Sequence, residues 1–176
     1  TVEDSLETGD FNSGVSGTSS IRVVDTALSG SFVTCNGQIA DEDGLIDVNG
    51  TAVGKEGTGV VVALVGERGN TVAQEVSVDD DGTFDEEEIG IGALSQGPAT
   101  AHILSSGRDA TFGDNFGDEG DLADAIRNQF TRGSASGDQV RSSIVANTVD
   151  DTGSDDLIVT ENFRITDALT SVEAVY

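Results

Sequence analysis

The chain has 176 residues, with 33 Asp and Glu against 8 Lys and Arg, and its formal net charge is −25. This length allows one or two domains with a sizeable core. Such an acidic surface excludes nucleic acid as a partner, because phosphate binding needs clustered basic residues, and it disfavours an anionic membrane. No apolar run approaches the roughly 20 residues that span a bilayer, so this chain is not expected to insert into a membrane directly.

The excess of carboxylates predicts adaptation to high salt. At molar salt the screening length falls to roughly 3 Å, which removes most of the repulsion between exposed carboxylates. Seven of the eight basic residues are Arg, and Lys55 is the single Lys. Disorder is the competing interpretation, but alternating apolar residues and seven Phe favour a folded chain.

The first segment, residues 1–30, is predicted to be a linker or the end of a preceding domain, because its first 20 residues are rich in Gly, Ser and Thr. Within it, IRVVD is compatible with one short strand. From Ser31 onward, strand patterns alternate with turn residues, and this spacing predicts a β-sandwich over residues 31–176. The predicted strands are SFVTCNGQI, LIDVNGTAV, GVVVALVGE, TVAQEVSVD, ATAHILSS and DLIVTENFRIT.

The apolar pattern distinguishes a central strand from half-exposed ones. Residues 60–65 are apolar at every position, which predicts a strand covered on both faces. GERGN is a predicted hairpin loop. The strand that follows it alternates apolar and polar residues and should be half exposed. In the last strand, Glu161 is the one charged member of an otherwise apolar face.

A helical insertion is predicted at about residues 118–148, before the last strand. In its first half, Leu122, Ile126 and Phe130 recur every four residues, and Gly133 is expected just past the end of the helix. In its second half, Ser136 and Gln139 have the spacing of a capping box.

The segment VSVDDDGTFDEEEIG places seven carboxylates within fifteen residues. An EF-hand template puts Asp79, Asp81, Asp85 and Glu88 at ligand positions, with Ser77 in place of the usual first Asp. The flanks alternate like strands, however, and DDDG also suits a plain hairpin turn. Both interpretations remain open. No cofactor is required, and a cation bound here would be Ca²⁺ or Mg²⁺, because all candidate ligands are oxygens.

Three other stretches, ADEDGLID, FGDNFGDEGD and VDDTGSDD, are also rich in carboxylates. They are interpreted as solvated, salt-adapted surface that could still collect cations collectively.

The sequence contains one N-glycosylation sequon, Asn49-Gly50-Thr51. A glycan on Asn49 would require an exposed side chain on an exported protein. Asn-Gly is also good turn chemistry, so a turn is the alternative interpretation.

Catalysis finds little support in the sequence, and we predict that the chain is not an enzyme. His102 is the single histidine, and it is expected to be packed or at a sheet edge. Cys35 is the single cysteine, which rules out an internal disulfide, and it is expected to be a small buried apolar residue.

Two long stretches resemble haloarchaeal S-layer glycoproteins, with the similarity running from about Ser31 to the end. They are IDVNGTAVGKEGTGVVVALVGERGNTVAQEVSVDDDGTFDEEEI and GDQVRSSIVANTVDDTGSDDLIVTENFRITDALTSVEAVY. The resemblance implies an internal fragment of an extracellular protein, built from immunoglobulin-like domains that tile the cell surface. It also implies a glycan on Asn49, a cation contact at residues 79–88, and neighbouring copies or domains of the same surface protein as partners.

These observations together predict a mainly β chain. The expected fold is an immunoglobulin-like β-sandwich with a short α-helical insertion before the last strands. The expected function is structural, as a component of a cell-surface lattice that makes protein–protein contacts. Assistance of these contacts by cations is a further expectation. The alternative is a secreted adhesin or a carbohydrate-binding module of a halophilic extracellular enzyme.

Overall fold

The computed structural model describes residues 27–41 and 44–167, so the strand predicted at IRVVD lies outside the described residues. The described elements comprise eight strands and two helices. They are β1 (Ala27–Phe32), β2 (Gln38–Ala40), β3 (Leu45–Val53), β4 (Gly59–Gly66), β5 (Thr71–Ser77), β6 (Thr83–Gly90), β7 (Gly97–Ser105), α1 (Glu119–Asn128), α2 (Gly137–Ala146) and β8 (Leu157–Thr166).

The strands form two sheets. One sheet has the order β1-β3-β6, and the other has the order β2-β8-β7-β4-β5. All pairs are antiparallel except β2 with β8, which are parallel. The predicted sandwich is therefore confirmed, and its first described strand begins at Ala27, within the segment interpreted as a linker.

The main core lies between the two sheets, and strand β4 separates it from a second apolar layer. Val60, Val62 and Leu64 belong to the main core, whereas Val61, Ala63 and Val65 belong to the second cluster with the helices. All six are at most 1% exposed, which confirms the strand covered on both faces. Burial of this kind contributes about 25 cal/mol for each Å² of apolar surface removed from water.

The two helices cover the outer face of the five-stranded sheet, where Leu122 and Ile126 of α1 join the second cluster. Asp118 caps α1, accepting a hydrogen bond from the backbone N–H of Asp121 at 2.8 Å. Helix α1 ends at Asn128, so the prediction that it continues almost to Gly133 is wrong. Beyond Asn128 the chain turns, because the N–H of Phe130 bonds to the carbonyl of Ala125, five residues back.

Helix α2 begins with the predicted capping box. The Ser136 hydroxyl accepts from the Gln139 backbone N–H, and the Gln139 side chain accepts from the Ser136 backbone N–H. Val140 and Ile144 then face the sheet and are fully buried. The insertion predicted before the last strand is thus confirmed in position and type.

The predicted strand SFVTCNGQI is wrong as one element. It is divided into β1 and β2, which belong to different sheets. Asn36 and Gly37 both have positive φ, and the backbone of Cys35 exchanges two hydrogen bonds with Gln38 across them. This is the two-residue hairpin turn that Asn-Gly favours. It leaves Cys35 exposed, so its expected burial is also wrong.

Glu161, the charged member of the apolar face of β8, has a structural role. Its Oε2 accepts a hydrogen bond from the backbone N–H of Phe32 at 3.1 Å. Phe32 is the last residue of β1, an edge strand of the opposite sheet. The carboxylate therefore satisfies a backbone donor of the other sheet.

Candidate functional site

The acidic segment between β5 and β6 is a tight turn, but it is not a hairpin. The Asp79 carbonyl accepts from the Gly82 N–H at 2.9 Å, and Gly82 has φ +81°. The turn interpretation of DDDG is right in this respect. Strands β5 and β6 lie in different sheets, however, so the predicted hairpin is wrong and the turn connects the two halves of the sandwich.

The four candidate cation ligands are spread along this turn and the strand after it. The Asp81 carboxylate accepts from the hydroxyl and backbone N–H of Thr83, and these bonds lower the pKa of Asp81. Asp85 lies on β6 opposite Asn49. Glu88 has φ +60°, and its N–H donates to the Asp47 carboxylate. Asp79, the fourth candidate, is exposed at the start of the turn.

These positions do not form the pocket that an EF-hand loop provides. Asp85 and Glu88 are three residues apart on an extended strand, which corresponds to about 10 Å. Among the described residues, no three Asp, Glu, His or Cys side chains converge as a metal-binding group.

Asn49 is exposed near the middle of β3, on the outer face of the three-stranded sheet. Its Oδ1 accepts from the Ser31 hydroxyl at 3.5 Å. The turn alternative for Asn-Gly is wrong here, because both residues are in the strand. Gly50 is required for packing: a Cβ at this position would lie 2.5 Å from the Phe84 ring.

The stretch VDDTGSDD has structural roles that its interpretation as solvated surface missed. Asp156 is 8% exposed, and its two oxygens accept from the backbone N–H groups of Gly107 and Gly113 at 2.9 and 2.8 Å. Asp155 pairs with Arg108, whose hydrogen bonds lower the pKa of that carboxyl. The solvated-surface interpretation is therefore wrong for Asp156.

Lys55 is the second residue whose structural role the sequence did not indicate. Its side chain is in the turn after β3, yet the residue is only 4% exposed. The ammonium donates to the hydroxyl of Ser106 at 3.0 Å and to the carbonyl of Gly107. The single lysine is thus a buried cross-link between this turn and the end of β7.

His102 is packed in β7 as expected, at 3% exposure. Its Nδ1 lies 2.9 Å from the Thr160 hydroxyl, and its buried Nε2 has no hydrogen-bond partner among the described residues. Burial, together with the positive charge of Arg141, lowers the pKa of His102 to about 4. The ring is therefore neutral near pH 7.

Two large apolar side chains remain exposed among the described residues. Val33 is 57% exposed and Leu45 is 42% exposed. They line one shallow depression of about 250 Å³ together with Cys35, Ile39 and Ala40. We call this surface the apolar patch. It adjoins β2, a three-residue edge strand of the larger sheet.

Two further clefts lie on the helical side of the molecule. The larger, of about 650 Å³, is bounded by Phe116 and Phe130, whose rings meet edge to face at 6.0 Å. Amide and carboxyl side chains complete its lining: Asn115, Asp121, Asp124, Gln129 and Asn147. The second cleft, of about 400 Å³, lies between the β4–β5 loop and the end of α1 and contains Arg68 and Arg127.

Comparison with known proteins finds cell surface glycoproteins of haloarchaea among the relatives of this chain. The chain is 59% identical over 177 residues to the cell surface glycoprotein of Haloarcula marismortui. It is 56% identical over 176 residues to that of Haloarcula japonica, and 56% identical over 174 residues to that of Halobacterium salinarum. The chain is a homologue of one segment of these cell surface glycoproteins.

The matches cover 98–99% of this chain but 20% of each relative, so the chain spans about a fifth of the length of the curated relatives it matches. No protein-family profile matches the sequence. The names and organisms of the relatives support the predictions of a salt-adapted chain and of a location at the cell surface. The resemblance noted from the sequence is confirmed.

The helices of the described residues are short and amphipathic. None of them has the length and apolar character needed to cross a membrane.

Proposed function

We propose that this chain is a structural module of a haloarchaeal surface layer. In this proposal the sandwich is a rigid unit that contacts neighbouring copies or domains of the same surface protein and has no catalytic role. The support comes from relatives named as cell surface glycoproteins, together with a packed scaffold whose carboxylates mostly face solvent or hold backbone groups.

The strand order supports an immunoglobulin-like module. In immunoglobulin variable domains, one sheet contains strands A, B and E, and the other contains G, F, C and C′. The sheets β1-β3-β6 and β2-β8-β7-β4-β5 reproduce this order when the short strand β2 is set aside and the other strands are assigned to A, B, C, C′, E, F and G in chain order. Strand D has no counterpart among the described strands. The helical pair is then an insertion between the last two strands.

The apolar patch is the observation that carries the proposed contact role. Val33 and Leu45 both line this patch, and its burial against another protein surface would remove their apolar area from water. The patch also lies close to the end of β8, because the N–H of Asp41, beside Ala40, bonds to the carbonyl of Thr166 at 2.7 Å. A neighbouring module of the surface protein is therefore its proposed occupant.

Asn49 is proposed to carry an N-linked glycan. Its side chain is exposed at the centre of a flat, polar sheet face, where Ser29 and Thr51 hydroxyls also lie within 2.7 Å of each other. A glycan attached there would project from the side of the sandwich opposite the helices. Mass spectrometry of the native glycoprotein, compared with an Asn49→Gln variant, tests this assignment.

Divalent cations are proposed to assist contacts between modules. The exposed carboxylates of Asp85 and Glu88, two of the four candidate ligands, would repel a similar acidic surface, and Ca²⁺ or Mg²⁺ shared across a contact would offset that repulsion. This arrangement places ligands on two molecules, which agrees with the absence of a three-carboxylate group within the described chain. Removal of the cation should then weaken assembly without unfolding the module.

The alternative function, a carbohydrate-binding module, is favoured by one observation. The larger cleft on the helical side combines the Phe116 and Phe130 rings with amide and carboxyl groups, a composition that suits sugar hydroxyls and C–H faces. Its volume lies within the range of about 300–1,000 Å³ common for ligand sites. Specific binding on a glycan array, lost in a Phe130→Ala variant, would favour this alternative.

The proposed contact role is tested in lattices of the surface glycoprotein that contains this segment. Leu45→Asp and Val33→Asp should each disrupt assembly in molar salt with Ca²⁺, as imaged by electron microscopy. Ser142→Asp is the matched control, because it adds the same charge at an exposed position of α2. Intact lattices with both patch variants would contradict the role of the apolar patch, and chelation of Ca²⁺ tests the cation separately.

A further inference from the structure

The second cleft gathers positive charge in a chain that is otherwise strongly acidic. Residues 125–137 contain no carboxylate, and they include Arg127 and Arg132. The β4–β5 loop adds Arg68, which faces the same cleft as Arg127. This concentration is unusual for a chain with a net charge of −25.

The two arginines of this cleft differ in how they are held. Arg127 is fixed, because its guanidinium donates to the carbonyl of Ala73 and pairs with Asp124. Arg68 is exposed, and its side chain makes no hydrogen bond or ion pair with any other residue that the structure describes. Its planar fork of donors is therefore available for a carboxylate from outside the chain.

The backbone around the cleft is rigid. The N–H of Gly137 donates to the carbonyl of Glu67 at 2.9 Å and joins the loop to the start of α2. Gly69 approaches so closely that a Cβ there would lie 1.9 Å from the carbonyl oxygen of Ala135. Hydroxyls of Thr71, Thr131 and Ser134 complete the lining. The backbone of the cleft is thus preformed, and binding would mainly have to order the Arg68 side chain.

Complementary charge lies at the opposite end of the same strand. Strand β5 begins beside the cleft at Thr71 and leads to the turn of Asp79, Asp80 and Asp81, all exposed. The two ends are about 25 Å apart along the extended chain. Asp81 is kept ionised by its bonds to Thr83, while Asp79 and Asp80 project from the turn.

We propose that the Arg68–Arg127 cleft receives the Asp79–Asp81 turn of a second copy of this chain. This inference rests on the proposed function as an assembling module, and it names one contact of that assembly. The two surfaces differ and lie at opposite ends, so the contact is head to tail. A contact of this type continues from copy to copy as a ring or an open chain.

Salt should promote this contact. In dilute salt, two chains of charge −25 repel each other over a long range. At molar salt the screening length is about 3 Å, which suppresses that long-range repulsion. An arginine and a carboxylate in direct hydrogen-bond contact are no farther apart than this length, so their attraction is screened much less. Association should therefore increase from dilute to molar salt, opposite to the behaviour of most ion-paired interfaces.

The test uses two variants of the full chain, each lacking one half of the contact. Arg68→Asp removes the basic half, and the double change Asp79→Asn with Asp80→Asn weakens the acidic half while leaving Asp81 in place. Each variant alone should associate at least about tenfold more weakly than the unaltered chain, measured by sedimentation in molar NaCl. Mixed in equal amounts, they should form dimers and nothing larger, because each supplies the half that the other lacks.

Arg164→Asp is the matched control, with the same charge change at an exposed position of β8 outside the cleft, and it should associate like the unaltered chain. The proposal is wrong if the unaltered chain stays monomeric at every salt concentration, if Arg68→Asp associates normally, or if the mixture gives no dimer. Disruption of lattices by Leu45→Asp with normal association of Arg68→Asp would retain the module role and reject this contact alone.

Discussion

Lys55 and Asp156 form hydrogen bonds with the carbonyl and the N–H, respectively, of the same residue, Gly107. The ammonium of Lys55 donates to the Gly107 carbonyl, and the carboxylate of Asp156 accepts from the Gly107 N–H at 2.9 Å. The two side chains come from the turn after β3 and from the residue before β8, so they fix the chain where it leaves β7. Both are buried, and both have hydrogen-bond partners within the protein: two backbone N–H groups for Asp156, and the Gly107 carbonyl with the Ser106 hydroxyl for Lys55.

We expect Asp156→Asn to destabilise the chain by about 1–3 kcal/mol. The carboxylate accepts from two backbone N–H groups, of Gly107 and Gly113, whereas an amide offers one oxygen and turns an N–H toward the second donor. Asp150→Asn, at an exposed position, is the control with the same charge change. Urea unfolding in molar salt measures the difference, and equal stability of the two variants would contradict the role assigned to Asp156.

Most of the fold could be predicted because it depends on local patterns. The boundaries of β3 match the predicted strand, and the buried run of β4 follows from its unbroken apolar sequence. The capping box of α2 also follows from two residues at a fixed spacing. The division of SFVTCNGQI was missed because the apolar alternation concealed a strong turn signal at Asn36-Gly37.

The stability of the chain should fall as the pH is lowered from about 6.5 to about 4 because of His102. Burial holds the ring neutral, and its pKa falls from 6.5 to about 4. Below pH 6.5 the unfolded chain binds a proton that the folded chain does not, so the unfolded state is favoured. The stabilisation is complete above pH 6.5, and about 2 kcal/mol of it is lost by pH 5.

His102→Gln isolates this effect, because glutamine does not titrate. The stability of the variant should be nearly constant between pH 7 and pH 5, where most carboxylates remain ionised. Parallel pH curves for the two proteins, from thermal or urea unfolding, would show that His102 is not the titrating group.

Gly50 should not tolerate a side chain. A Cβ there would lie 2.2 Å from the Ser29 carbonyl oxygen and 2.5 Å from the Phe84 ring. We expect Gly50→Ala to cost about 1–3 kcal/mol, as overpacking does. Gly90→Ala is the control at the end of β6, where a Cβ would meet no atom within 4 Å, and it should change stability by less than about 0.5 kcal/mol. Similar unfolding midpoints for the two would contradict this packing.

The candidate sites were harder to predict, because they depend on which residues the fold brings together. The carboxylates from Asp79 to Glu88 fit a ligand spacing in sequence, but Asp79 and Asp81 lie in a turn while Asp85 and Glu88 lie along strand β6. The partners of Lys55 and Asp156 lie in loops distant in sequence and are mostly backbone groups, and no motif identifies such pairs. The arginine cleft likewise joins Arg68 to residues almost sixty positions later.

Cys35 should react in the folded chain. Its side chain is exposed next to Val33 in the apolar patch, on the Asn36-Gly37 turn. A maleimide should therefore label it in molar salt at nearly the rate seen in denaturant, and Cys35→Ser should remove all labelling. Once the chain is assembled, a neighbouring module on the apolar patch should slow the reaction. Rapid labelling of intact lattices would place the module contact on another surface, whereas slow labelling of the monomer would contradict the exposed position of Cys35.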